Sequence, residues 1–245
     1  MTVFAGFDRI RIINLPSRPD RRKEMDNELR RIGLNGDPRV EFVDGVVVVE
    51  KAPFRAVGEK GVFLAQLQII SEAAAAGESV LILEDDVDFT PAATNWARPV
   101  DCDIAYGGYE ASNPSDLHGS NIIGAHCMGF SARAAQALTP FLQQLLVHES
   151  PPPIDGAYVW FRRQREGFKT IFAEPVIAIQ RPSRSDIAAS KPFDRISVLR
   201  HPMSAARRVK RKLQRGEITF GLPQALIIAI AGVAIAAFAA YHHTR

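Results

Sequence analysis

One stretch, Val80-Leu81-Ile82-Leu83-Glu84-Asp85-Asp86, constrains this chain more than any other. Four consecutive apolar residues read as a buried strand of an α/β sheet. Three carboxylates follow at once. Like charges this close oppose one another's ionisation, so the folded state gains from a cation placed among them. Hard oxygen donors suit Mg or Mn, and such ions commonly carry a phosphorylated ligand. In open α/β sheets ligands sit just beyond the carboxyl ends of the strands, where these acids fall. The plain alternative is a solvated acidic turn.

The rest of the chain up to residue 187 alternates strand and helix signals. Arg9 to Leu15 reads as the first strand. Ser17 is placed to cap the helix that follows, with Pro19 early in its first turn and Asp20 three residues on. Met25, Leu29 and Ile32 give that helix one apolar face, and Gly33 ends it. Val40 to Val43 is a short strand before a turn at Asp44-Gly45, which Val46 to Val49 can extend. Gly61 to Ala76 reads as a helix stopped by Gly77. Asp103 to Tyr106 is a strand ending at Gly107-Gly108, and residues 109–120, rich in Gly, Pro, Ser and Asn, read as a mobile loop. A strand at Asn121 to Gly124, a helix from Ala132 to Leu146, a helix near Asp155 after three prolines and a strand from Phe168 to Ala173 complete the pattern. The alternation predicts an α/β fold with a mostly parallel sheet flanked by helices.

Charge divides the chain differently. Residues 195–215 carry eight Arg or Lys and no acid, so the overall charge of +3 hides a net −5 over residues 1–194. A basic nucleic-acid-binding face is therefore not expected on the folded part. Beyond the basic segment, Leu222 to Tyr241 is apolar apart from Pro223 and Gln224. Twenty helical residues span about 30 Å, the thickness of a bilayer core. The predicted organisation is a catalytic domain at 1–194, a basic juxtamembrane linker at 195–220 and a transmembrane helix at 221–241. The positive-inside rule keeps Arg207, Arg208, Lys210, Arg211, Lys212 and Arg215 cytoplasmic. Met1 to Arg11 lacks the apolar core of a signal peptide, so the domain is expected at the cytoplasmic face of the inner membrane on a single-pass anchor. Cys102 and Cys127 are in no metal-binding spacing and are expected as thiols.

Several segments together resemble glycosyltransferase family 25, the lipopolysaccharide-biosynthesis galactosyltransferase group. They are Ile13-Asn14-Leu15-Pro16-Ser17-Arg18-Pro19-Asp20-Arg21-Arg22, the helix start from Gly58 to Gln66, Leu83-Glu84-Asp85-Asp86-Val87, Gly124-Ala125-His126 to Ser131, Ile154-Asp155, and Gln180-Arg181-Pro182-Ser183-Arg184-Ser185-Asp186-Ile187. The resemblance implies a GT-A-like fold, a UDP-sugar as donor, a divalent metal (Mn or Mg) and inversion at the anomeric carbon. It makes Asp86 the metal ligand and sets Glu84 and Asp85 against ribose or uracil. Where the family carries Ser-His this chain has Ala65-Gln66, and a glutamine, unlike histidine, does not take up a proton at neutral pH.

The remaining candidates each have a functional and a structural reading. Arg18 follows the first strand, where either its fork suits diphosphate oxygens or it is a solvated loop arginine; Arg21 and Arg22 read as a charged helix face. Asn14 and Gln66 are taken with the donor contacts. Arg181 and Arg184 either hold the diphosphate or an anionic acceptor, or belong to a solvated loop. His126 is a further metal ligand, a donor contact or a packed histidine. Asp155 is either a helix cap or the general base.

The expected activity is transfer of a hexose, galactose by the resemblance, from a UDP-sugar to a glycan or glycolipid acceptor of the lipopolysaccharide type. Two other readings compete. One is a membrane-tethered sugar-nucleotide or glycan-binding module without catalysis. The other is a metal-dependent phosphatase, because Asp86-Val87-Asp88-Phe89-Thr90 matches an Asp-x-Asp-x-Thr nucleophile motif.

Overall fold

The computed structural model describes residues 3–181. The basic linker, the apolar run at 221–241 and Arg184 lie outside the described residues. Among those described, eight strands and four α-helices form two sheets with helices on both faces of the larger one.

The chain opens with β1 (Arg9–Asn14), α1 (Pro19–Ile32) and β2 (Val40–Asp44). Ile10, Ile12 and Ile13 bury β1, and Met25, Leu29 and Ile32 bury the inner face of α1. Gly33 closes α1 at φ 80°, a conformation that suits a residue without Cβ, and the Leu34 N–H reaches back to the Leu29 carbonyl at 2.9 Å. The predicted cap is corrected: Arg18, not Ser17, is the N-cap residue, and no side chain caps the end. With Pro19 next in line, one of the orphan N–H groups is already absent. Val46 to Val49 adds no strand.

Next come α2 (Val57–Ala76), β3 (Val80–Glu84), β4 (Val87–Phe89), β5 (Ile104–Ala111) and β6 (Ile122–Phe130). α2 begins four residues before the predicted start, and Gly77 ends it at φ 67°. β5 runs on through Gly107-Gly108 with shifts of register there, so Tyr109 to Ala111 belong to a strand and not to a loop. The connection to β6 is a hairpin whose carbonyls are held by α4: Arg162 donates to Ser120 at 2.8 Å and Arg163 to Gly119 at 2.7 Å. Finally come α3 (Ala132–Leu145), α4 (Ile154–Gln164), β7 (Thr170–Phe172) and β8 (Ala178–Gln180). Ser131 caps α3, accepting from the Ala134 N–H at 3.1 Å.

The large sheet has the order β2-β1-β3-β6-β5-β7. β1 pairs parallel with β2 and β3, β5 pairs parallel with β7, and β6 runs antiparallel to both of its neighbours. Five strands therefore share one direction, as the alternation predicted. One core lies under α2, α3 and α4; the other lies under α1 and takes in Phe4, Phe7, Val87 and Phe89. β4 and β8 pair antiparallel as a small second sheet that the sequence pattern does not announce. Among the described residues no helix is long and apolar enough to cross a membrane.

Candidate active site

The register of β1 on β3 sets Ile13 beside Glu84, so the carboxyl ends of the two strands finish together. A cleft opens there, enclosing about 690 Å³ of space that includes its open mouth. Glu84, Asp85, Asp86, Arg21 and Gln180 form its polar wall. Ile13, Leu15, Val46, Val62 and Ala65 form its apolar wall.

The three acids differ in environment. Asp85 accepts from Asn14 Nδ2 at 2.7 Å and from Arg21 Nη1 at 2.9 Å. Asp86 lies 3.6 Å from the same Arg21 nitrogen, and Gln180 Nε2 approaches its carboxylate at 3.4 Å. Burial pushes the Asp86 carboxyl up to about 6, against the opposing pull of Arg21. Glu84 is pushed up to about 8, first by burial, then by the charges of Asp86, Asp85 and Asp155. The acids thus form a partly compensated cluster, in which ionising all three is opposed.

Asp155 belongs to the first turn of α4, but Pro153 is the N-cap residue. Its Oδ2 accepts from the Gly124 N–H on β6 at 3.0 Å, and its Oδ1 accepts from the Gly156 N–H at 2.8 Å. A plain N-cap role is therefore corrected: the carboxylate bridges a helix start to a strand. Asp155 is not among the residues that line the cleft, but its charge acts on Glu84, so it lies within electrostatic reach of the acidic cluster.

Several predicted donor contacts are used elsewhere. Asn14 turns to Asp85 and to the Arg18 carbonyl, which makes it a support for the acid and not part of the cleft wall. Arg18 donates to Asp20 at 2.9 and 3.0 Å and is not among the lining side chains. Arg181 pairs with Asp88 at 3.0 Å and with Glu24, and donates to the Val87 carbonyl at 3.2 Å. Gln66 is wholly buried behind the cleft wall, where only its neighbour Ala65 faces the space. His126 is also absent from the lining. Its ring packs against Gly108 and Gly124, where an added Cβ would lie 2.2 and 3.1 Å from its nitrogens, and burial pushes it down to about 4, leaving it neutral. The predicted pairing of His126 with Asp86 on one ion is not assembled by this geometry.

Two lining residues escaped the sequence reading. The sequence pattern puts Arg21 on a charged helix face, yet it lines the cleft. The available signal was its place in the first turn after β1, four positions before the buried Met25. Gln180 reaches Asp86 because β8 pairs with β4, and no local pattern announces that pairing. The Asp-x-Asp-x-Thr match does not form a phosphatase site: Asp88 is buried against Arg181, and Thr90 Oγ1 donates to the Val176 carbonyl at 2.7 Å.

Among the described residues no group of three or more His, Cys, Asp and Glu side chains forms a ready metal cage. Mg and Mn commonly take one or two carboxylates and complete their shell with phosphate oxygens and water. Asp86 offers a cleft-facing carboxylate of that sort.

No protein-family model matches the chain, and no curated protein matches it. Among solved structures it is similar to a glycosyltransferase involved in the glycosylation of the major capsid of PBCV-1. That likeness has 12% identity and a TM-score of 0.44, over 70% of this chain and 93% of that one. It is also similar to the galactosyltransferase LgtC, solved in complex with donor and acceptor sugar analogs. There the identity is 10% and the TM-score 0.44, over 88% of this chain and 98% of that one. At these values neither likeness bears on function, which rests on the side chains of the cleft.

Proposed function

We propose that this chain is an inverting glycosyltransferase of the GT-A kind, taking a hexose from a UDP-sugar. The observation that carries the reading is the convergence of Asp85, Asp86, Arg21 and Gln180 on one cleft at the carboxyl ends of β1 and β3. A mixed acid and guanidinium wall suits a metal-bridged diphosphate, and the apolar wall beside it suits a nucleobase. An Mg or Mn ion held by Asp86 would neutralise charge on the leaving diphosphate. Arg21 adds a fixed positive charge at the same place.

Asp155 serves as the base. The acceptor hydroxyl oxygen bonds to the anomeric carbon as the carbon–oxygen bond to the diphosphate breaks, and the hydroxyl proton passes to the Asp155 carboxylate. The two backbone N–H groups on Asp155 hold it in place for that transfer. A glycan or glycolipid of the lipopolysaccharide type, presented at the cytoplasmic membrane face, is the acceptor class favoured by the apolar run at 221–241 and the basic residues ahead of it. Confinement to a surface raises the effective concentration of a lipid-linked acceptor.

The test is a panel of nucleotide sugars, scored for binding and for slow hydrolysis with and without Mn. A UDP-hexose should bind and be hydrolysed with Mn dependence, and Asp86→Asn should lose that dependence while staying folded. Failure of every nucleotide sugar to bind would overturn the proposal.

A further inference from the structure

Gln66 has both ends of its amide occupied inside an otherwise apolar core. It is 0% exposed, on the face of α2 turned towards β6 and α4. Its Oε1 accepts from the Tyr158 hydroxyl at 2.5 Å, and its Nε2 donates to the Ala125 carbonyl at 3.4 Å. Burying an amide this deeply costs free energy that an apolar side chain would not incur, and hydrogen bonds offset it. The side chains in contact are mostly aromatic and aliphatic, with the Tyr158 ring 5.0 Å from Phe130 and Ala157 and Phe161 buried beside it, while Glu84 and Asp155 act on the Tyr158 hydroxyl from a distance. The buried Tyr158 hydroxyl needs one acceptor, but the second hydrogen bond, to the Ala125 carbonyl, is not required by packing.

The positions of the two partners give the group a purpose. Tyr158 is three residues after Asp155 on α4, so both stand on the same side of that helix. Ala125 directly follows Gly124, whose N–H donates to Asp155 at 3.0 Å. Gly124 has φ 103°, a backbone conformation that glycine adopts at little steric cost and that aims its N–H at Asp155. Gln66 therefore grips both elements that meet at the Asp155–Gly124 hydrogen bond, one residue from the donor and one helical turn from the acceptor.

We propose that Gln66 is a positioning residue for the Asp155 base, acting through Tyr158 on α4 and through the Ala125 carbonyl on β6. The inference rests on Asp155 being the base of the proposed transfer. It replaces the donor-contact role that the sequence suggested for Gln66, since no atom of the side chain reaches the cleft.

Two variants test it. Gln66→Met keeps the volume and removes both hydrogen bonds; Tyr158→Phe removes only the hydroxyl and secures the test should the first variant fold poorly. Amide hydrogen exchange reports directly on the Asp155 contact. In both variants the Gly124 amide should exchange about tenfold faster, while the Met128 amide, further along β6 between β3 and β5, stays protected, because local opening is separable from global unfolding. Turnover of UDP-galactose should fall about ten- to a hundredfold in kcat, as expected of a displaced catalytic group, with KM for the donor within about twofold. A merely structural role would speed both amides together. Unchanged Gly124 exchange and unchanged kcat in both variants, with Asp155→Asn inactive, would overturn the role of Gln66 alone. Full activity in Asp155→Asn would overturn the base assignment itself, and this inference with it.

Discussion

Arg21 Nη1 donates to Asp85 at 2.9 Å and lies 3.6 Å from Asp86, joining the first turn of α1 to the end of β3 across 64 positions of sequence. Asp85 is buried, its side chain 7% exposed, and Arg21 is half-buried, its side chain 11% exposed. Removing one member of a buried pair costs about 3–5 kcal/mol, and the cost here falls towards the low end because Asn14 still donates to Asp85 at 2.7 Å. Arg21→Ala should therefore lower thermal stability sharply, and Arg21→Lys should restore part of it. Mn should raise the melting temperature of Arg21→Ala more than that of the parent, because the ion replaces the missing cation. Equal responses to Mn would show that the acids and the guanidinium do not act on one another in this way.

Asp155→Asn keeps an oxygen able to accept from Gly124 but loses basicity. The chemical step should slow by about 10² to 10⁴ while donor affinity is unchanged. Single-turnover kinetics beside equilibrium donor binding separates the two quantities. A parent-like rate would place the base elsewhere.

Gly61 begins the second turn of α2, and a Cβ there would lie 2.4 Å from the Val46 carbonyl oxygen. That neighbour is backbone, so the strand-to-helix connection itself has to move. Gly61→Ala should cost about 1–3 kcal/mol through overpacking, and should weaken donor binding because both residues line the cleft. Calorimetric unfolding and donor titration of the same sample check both effects.

Asp103 gives a pH dependence of known sign at the far end of the sheet. Burial by itself would raise its pKa. Hydrogen bonds from Arg133 at 2.6 Å, the Lys169 N–H at 3.0 Å and Ser131 at 2.8 Å outweigh burial and hold the carboxyl below its usual range. A carboxyl depressed in the folded state adds stability above its unfolded pKa, and that stability is lost as the pH falls through the folded value. Asp103→Asn should therefore unfold at a lower temperature than the parent at pH 7, with the gap closing below about pH 4. A gap that stays constant from pH 7 to pH 3 would assign the effect to packing.

Truncation after Arg215 removes the apolar run at 221–241. The shortened protein should remain in the soluble fraction and still bind donor, while the full chain should sediment with membranes and resist a high-salt wash. Release of the full chain by salt alone would leave only the basic residues to account for membrane attachment.

Some of this protein is fixed by local chemistry and can be read from the chain alone. The apolar run into Glu84-Asp85-Asp86 is a strand with a charged end because of its own composition. Gly33 and Gly77 stop helices because the left-handed conformation excludes few contacts for a residue without Cβ. The alternation of strand and helix sets the α/β class for the same reason: each period is written within a dozen residues. What tertiary structure alone decided is which way ambiguous polar side chains turn. α2 buries residues on most of its circumference, so helical periodicity could not say that Ala65 would face the cleft and Gln66 the core. Arg181 is held outside the cleft lining by Asp88 and Glu24, and Arg21 is held in it by Asp85, each across a long separation in sequence. Gln180 meets Asp86 only through the pairing of two three-residue strands too short to carry a pattern. Charge pairs and short strand pairings form between segments brought together by burial of the apolar core, so their geometry follows from how the chain closes and not from any window along it.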